Sequence, residues 1–181
     1  MTPTKILEDE HEVILLVLKA VEREAQEIRR AAKVDATRVG KMLDFFRNFA
    51  DKCHHAKEEK HLFPLYEQRG IPREGGPIGV MLSEHEKGRE HIRAAAASLQ
   101  KASEGNQEAA EAVAEHLTGY VLLLRDHIDR ENNVLYPMGN RLLTAEDKQA
   151  LAEAFEKVEA EEMGEGIHEK YHQLAHELAA E

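Results

Sequence analysis

Apolar residues recur every three or four positions along almost the whole chain, and that period predicts helices. Over residues 5–32, Ile14, Leu15, Leu18, Ala25 and Ile28 share one stripe with His11. Asp35 has the side chain of a helix N-cap. The helix it opens reaches about residue 68, with Leu43, Phe46, Ala50, His54, Glu58, Leu62 and Leu65 on one face. Residues 69–77 are dense in Gly and Pro and predict a turn. A third helix spans about 78–103, with Ile78, Met81, His85, Ile92, Ala95 and Leu99 inward, and Ser103-Glu104-Gly105-Asn106 breaks it. A fourth runs over about 107–140, aligning Val113, Leu117, Tyr120, Leu124, His127, Glu131 and Leu135. Thr144-Ala145-Glu146-Asp147 has the form of a helix start, with a side-chain cap and acids in the first turn. The segment it opens ends near residue 162, and Gly164 and Gly166 set it apart from a last helix over 167–180. No stretch alternates with period two.

Four long helices on short links predict an all-α fold: an up-down-up-down four-helix bundle over residues 1–142, with a C-terminal helical extension, 143–181, packing on it. At 181 residues the chain suffices for one well-buried core. Scarce Gly and Pro (11 and 5) and 33% charged residues suit helices. The net charge of -11 argues against a nucleic-acid backbone or an anionic membrane as partner. With Cys53 as its one cysteine, the chain forms no internal disulfide and no thiolate cluster. Met1 to Lys5 opens no basic-then-apolar signal, and the longest apolar run, Val13 to Leu18, is far too short to span a bilayer. The expected location is the cytoplasm.

Polar residues break the apolar stripes at regular places. His54-His55-Ala56-Lys57-Glu58-Glu59-Lys60-His61-Leu62-Phe63-Pro64 returns 73 residues later as His127-Ile128-Asp129-Arg130-Glu131-Asn132-Asn133-Val134-Leu135-Tyr136-Pro137. Each phrase is His-x-x-x-Glu, which aims an imidazole and a carboxylate in one direction from a helix. Glu10-His11-Glu12 and Glu84-His85-Glu86 open the inward stripes of the first and third helices. His11 precedes His54 by 43 residues and His85 precedes His127 by 42, so the chain is one helical hairpin written twice. Packed antiparallel, the two copies bring His11, His54, His85, His127, Glu58 and Glu131 together.

Such a set could hold two metal ions. Imidazole suits iron, zinc, copper or nickel, and a carboxylate can bridge two cations. A lone histidine on an apolar face is more often a hydrogen-bonded core residue, and His-x-x-x-Glu is also an ordinary surface pair. Six such groups on four apolar faces are another matter, because burying a carboxylate unpaired costs several kcal/mol, on the order of 3–5. Two divalent ions against two glutamates leave positive charge for an exogenous bridge, and open positions for a small molecule.

At these residues the chain resembles the hemerythrin-like, or HHE, cation-binding family, over about residues 5–140. The resemblance implies a four-helix bundle around an oxo- or hydroxo-bridged pair of non-haem irons. Carried over, His11, His54, His85 and His127 are terminal ligands, and Glu58 and Glu131 are bridges. Other divalent metals such as zinc would also suit the donors. The oxygen-carrying members place a further histidine where this chain has Arg89, and an aspartate five residues after the last ligand histidine. This chain has Glu131 at four. The departures point away from a simple oxygen carrier, towards the bacterial branch linked to iron-centre repair, nitric-oxide response or oxygen and iron sensing. The repair proteins usually carry an extra cysteine-bearing N-terminal domain, which is not expected here.

The expected function is therefore to bind, sense or detoxify O2, peroxide or nitric oxide at a di-iron centre. The alternatives are iron storage or donation for iron–sulfur repair, a peroxide-consuming enzyme, and a helical interaction module in which metal only stabilises the bundle. His55 and Glu59, rotated about 100° from the ligand pair, are expected beside the ligands rather than among them. His61, His91 and His116 are expected at the surface. His168, His172 and His176 make a polar face opposite Ile167, Tyr171, Leu174 and Leu178; the other reading has one of them, or Tyr171, filling the open site. Pro64 and Pro137 should kink their helices just beyond the ligands, with Phe63 and Tyr136 packing over the end of the site. Tyr120 is the nearest expected supporting group. Cys53 is either a redox reporter or a small packing residue.

Overall fold

The computed structural model describes residues 2–164 and 166–180. All regular structure among them is helical. Helix α1 (Pro3–Ala31) starts two residues earlier than the apolar period suggested, because the Thr2 side chain caps it and proline is tolerated in a first turn. Helix α2 covers residues 36–68, and Asp35 caps it by accepting the Arg38 amide at 3.0 Å. Helix α3 is Pro77–Ser103, and α4 covers residues 107–140, capped by Asn106. Helix α5, residues 145–163, opens on a reciprocal capping box between Thr144 and Asp147. Helix α6 is Ile167–Ala180. Gly164 and Gly166 lie at φ 85° and 76°, conformations open to glycine, and make the break before α6. Among the described residues no helix is long and apolar enough to cross a membrane.

The buried apolar residues form two clusters. One gathers Ile14, Leu18, Phe46, Ala50, Ile92 and Leu124; the other gathers Leu7, Leu62, Phe63, Met81, Leu135 and Tyr136. On every long helix the polar residues of the repeat fall between the two: His11 between Leu7 and Ile14, and His54 and Glu58 between Ala50 and Leu62. Successive helices meet the clusters in opposite order, α1 and α3 one way, α2 and α4 the other. Burying each large apolar side chain is worth about 1.5–3 kcal/mol. The clusters therefore clamp both ends of a polar layer that would not bury itself.

Helix α2 is not uniformly α-helical. Phe46–His55 and Glu58–Leu62 are π-helical, as is Glu131–Leu135 in α4. The Phe63 amide donates to the Glu58 carbonyl and the Tyr136 amide to the Glu131 carbonyl, five residues back. Pro64 and Pro137 stand one residue further on, where a missing amide starts a fresh α-helical turn. The expected interruption at each proline thus takes the form of a π turn opened by the glutamate of the repeat.

The C-terminal helices join the core. Tyr171, Ala175 and Leu178 pack into the first cluster, Leu151 and Phe155 into the second. They also cover a face of α2 that would otherwise meet water, so that residues 53–58 are buried without a gap.

Candidate metal centre

The structure brings His11, His54, His85, His127, Glu58 and Glu131 together, each no more than 1% exposed. Two groups share Glu58: His11, His54, Glu58 and Glu131, and His55, Glu58, His85 and His127. Within each, one ligating atom per residue lies within 4.8 Å of the others. One Glu131 oxygen is 3.2 Å from His11 Nε2 and the other 3.2 Å from His127 Nε2. Glu58 Oε2 lies 3.3 Å from His85 Nε2 and 3.9 Å from His54 Nε2. Glu58 Oε1 accepts the Tyr136 hydroxyl at 2.6 Å.

All four of these imidazoles are fixed from behind, and the duplicated hairpins do it alike. The His54 Nδ1–H donates to Glu10 and the His127 Nδ1–H to Glu84, each at 2.9 Å. The His85 Nδ1–H donates to Glu59 and the His11 Nδ1–H to Asn132, each at 2.7 Å. Each partner oxygen accepts the Nδ1 proton, so Nε2 is the nitrogen turned inward on all four rings. Each outer carboxylate meets a cation: Glu10 the buried Lys57, Glu84 Arg130 at 2.5 Å, and Glu59 Arg89 at 2.7 Å. Lys57 and Arg130 occupy matching places, three residues after the histidines of the repeat.

The inward atoms are not satisfied by one another. His11 Nε2, His54 Nε2, Glu58 Oε2 and both Glu131 oxygens are buried without a hydrogen-bond partner. His85 Nε2 and His127 Nε2 face each other at 3.2 Å. Two imidazoles on one ion at about 2.0–2.1 Å stand about 3.0–3.4 Å apart, so the spacing suits a shared cation. Protonation tells the same story. Burial and the adjacent Glu131 push the Glu58 carboxyl well above the usual range. Burial also opposes a charge on Glu131, but His127 and His11 outweigh it and hold that carboxyl well down. Against burial, Glu131 and Glu84 raise His127 to about 10. Burial and the neighbouring His11 press His54 down to about 3. Two buried carboxylates that cannot both ionise, beside imidazoles of opposite tendency, match a place for positive charge.

His55 departs from expectation. It is 5% exposed, stacks on His85 with ring centroids 3.8 Å apart, and joins the His85 and His127 group. The 100° step that set it aside belongs to an α-helix, whereas Phe46–His55 is π-wound, with more residues per turn and a smaller step. Arg89, in place of an imidazole, is tied to Asp51 and Glu59. Glu10, Lys57, Glu84, Asn132 and Tyr66 were missed. The first four carry a signal, the neighbour of a repeat histidine or glutamate in both copies. Tyr66 carries none. Its buried hydroxyl has no partner, and its ring fills the space left by Gly139, where a Cβ would come within 2.1 Å.

Phe63 and Tyr136 do close one end, stacking near His85 and His11. His168 and Tyr171 do not enter the centre. His168 meets Glu10 at 3.3 Å, while Tyr171 donates to Asp44 at 2.8 Å. His172 packs on Phe49, and His176 is exposed. His61, His91 and His116 are half-buried on the outer surface, the last two 3.2 Å apart. Burial and Glu10 raise the Cys53 thiol to about 12, which suits the packing role over the redox one.

Residues 2–139 match the model of the hemerythrin HHE cation-binding domain. Uncharacterized proteins of Mycobacterium tuberculosis (strain ATCC 25618 / H37Rv) and Mycobacterium bovis (strain ATCC BAA-935 / AF2122/97) are each 24% identical over 165 residues, which is 91% of this chain. The match spans 64% of the length of each of those relatives. No solved structure matches the chain significantly. The duplicated His-x-x-x-Glu phrases and the family match cover the same helices, and the chain belongs to the hemerythrin HHE cation-binding domain family.

Proposed function

We propose that the chain holds two irons bridged by oxide or hydroxide, and that it binds, senses or detoxifies dioxygen, peroxide or nitric oxide in the cytoplasm. His11 and His54 would serve one ion and His85 and His127 the other, with Glu58 and Glu131 shared and His55 an added donor on the second side. The observation that carries this is the set of buried, partnerless Nε2 and carboxylate atoms converging between two apolar clusters. The alternating order of those clusters along α1 to α4 supports an up-down-up-down bundle over residues 1–142, with 143–181 packed on it.

When bound, the metal pair supplies electron exchange with a small molecule and a Lewis-acidic place to hold it. The chain's own residues fix that place. Three outer carboxylates, each neutralised by Lys57, Arg89 or Arg130, hold imidazoles without adding net charge. With Glu58 and Glu131 as the anionic donors, two divalent ions would keep a positive surplus for an oxide or hydroxide to offset. The partnerless Tyr66 hydroxyl, close enough for Glu58 and Glu131 to raise its pKa beyond the effect of burial, favours a second reading. It could donate to a bound peroxide, making the chain a peroxide-consuming enzyme. Tyr66→Phe should then abolish peroxide turnover while leaving metal content intact.

The ligand assignment is tested by His54→Ala and Glu58→Ala. Each should lose most of the bound metal while remaining helical by circular dichroism. Full metal retention in both variants would overturn the assignment.

A further inference from the structure

A cavity of about 120 Å³ lies between α2, α3 and α4 and ends on the second half of the centre. His55, His85, Gly88, Arg89, Ile92 and Tyr120 are among its walls. Its volume suits a molecule of a few heavy atoms, since about 150 Å³ is enough for benzene. The charged groups at its inner end are already paired. Arg89 holds Asp51 and Glu59, and Glu84 holds His127 and Arg130. Of the other charged groups lining it, Arg93 pairs with Glu86 and Arg47 is exposed, so the inner end offers an entering ion no unpaired charge. The Tyr120 hydroxyl is different: its residue is 3% exposed, and among the described residues it has no hydrogen-bond partner. It offers a donor to whatever enters. Gly88 leaves the passage clear, since a Cβ there would stand 3.3 Å from the Tyr120 ring.

His55 stands between this cavity and the centre, and it is the least firmly held imidazole there. The other four have Nδ1 partners at 2.7–2.9 Å. His55 Nδ1 reaches Asp51 only at 3.4 Å, near the limit of a hydrogen bond. The cause is competition: the same Asp51 oxygen accepts Arg89 Nε at 2.9 Å and forms an ion pair with a terminal guanidinium nitrogen at 2.7 Å. The other hairpin has no such gate. By the register of the repeat, Ile128 stands where His55 does and Leu15 where Arg89 does.

We infer that this cavity is the entry chamber of the centre and that His55 is the imidazole that yields to the entering ligand. A small neutral molecule such as dioxygen or nitric oxide would therefore meet the His85 and His127 side, within reach of the Tyr120 hydroxyl. The inference rests on the metal-centre proposal above.

The test fills or opens the chamber in the iron-loaded protein. Nitric oxide association is followed by stopped-flow absorbance for the unsubstituted protein, Gly88→Leu, Ile92→Phe and His55→Ala. The chamber-filling variants should slow association at least tenfold with iron content and resting spectrum unchanged, and His55→Ala should speed it. Xenon-129 shifts on the metal-free chain give a second readout: xenon should bind the unsubstituted protein and not Gly88→Leu. If Gly88→Leu fails to fold, Ile92→Phe and His55→Ala still decide. Iron-bearing variants that all associate at the unsubstituted rate, or a chamber that holds only water and admits no xenon, would overturn the inference alone. An unsubstituted protein that takes up no iron would overturn the proposal beneath it as well.

Discussion

Glu10→Gln probes the support behind His54 without touching a proposed ligand. The Glu10 side chain is 3% exposed and Lys57 0%, and Glu10 is the carboxylate Lys57 shares with His54. Glutamine keeps an oxygen for the His54 Nδ1–H but removes the charge. Lys57 is then left with Glu159, which is 34% exposed and partly screened. Removing one partner of a buried ion pair costs about 3–5 kcal/mol, and the remaining Glu159 places this case near the lower end. Against a typical total stability of about 5–15 kcal/mol, the loss is large. Adding Lys57→Met removes the stranded ammonium, and the double variant should recover at least about 2 kcal/mol of the loss. Urea unfolding of the metal-stripped parent, Glu10→Gln, Lys57→Met and the double variant, followed by far-ultraviolet circular dichroism at neutral pH, measures all four. A Glu10→Gln variant as stable as the parent, or a double variant whose loss is the sum of the singles, would refute the pairing.

Metal loading should release protons and strengthen as pH rises. His127, raised to about 10, and Glu58, raised above the carboxylate range, carry protons at neutral pH that a metal must displace. His54, held near 3, has none to give. The sign follows from the raised pKa values: proton competition is strongest at low pH and vanishes for His127 above about 10. Proton uptake, or no proton change, in a weakly buffered titration with ferrous iron or zinc would contradict it. Gly139→Ala should destabilise the chain by about 1–3 kcal/mol, because its Cβ would lie 2.1–2.5 Å from Tyr66 ring atoms. Tyr66→Leu in the same chain should recover part of that loss; an unchanged urea midpoint for Gly139→Ala would contradict the packing.

Much of this was legible in the sequence because two periods coincide. The helical period placed His11, His54, His85 and His127 on apolar faces, and the repeat placed Glu58 and Glu131 beside them. The N-caps Asp35 and Thr144 were equally plain, since capping is local chemistry. What escaped depends on tertiary cover or on altered winding. Lys57 lies on a face that α1 to α4 alone would expose to water, and α5, through Glu159 and Phe155, makes it interior. His55 lies one α-helical step off the stripe, and the π winding of Phe46–His55 brings it in. Tyr66 faces the centre where the period favoured Leu65, because Gly139 on the other hairpin makes room for its ring.

The central claim is most directly tested by counting metal in protein purified from iron-supplied cells, with an aerobic absorption spectrum of the same sample. About two irons per chain and near-ultraviolet oxo-to-iron absorption that fades on reduction are expected of a bridged pair. A well-folded chain from the same cells that binds no transition metal would contradict it.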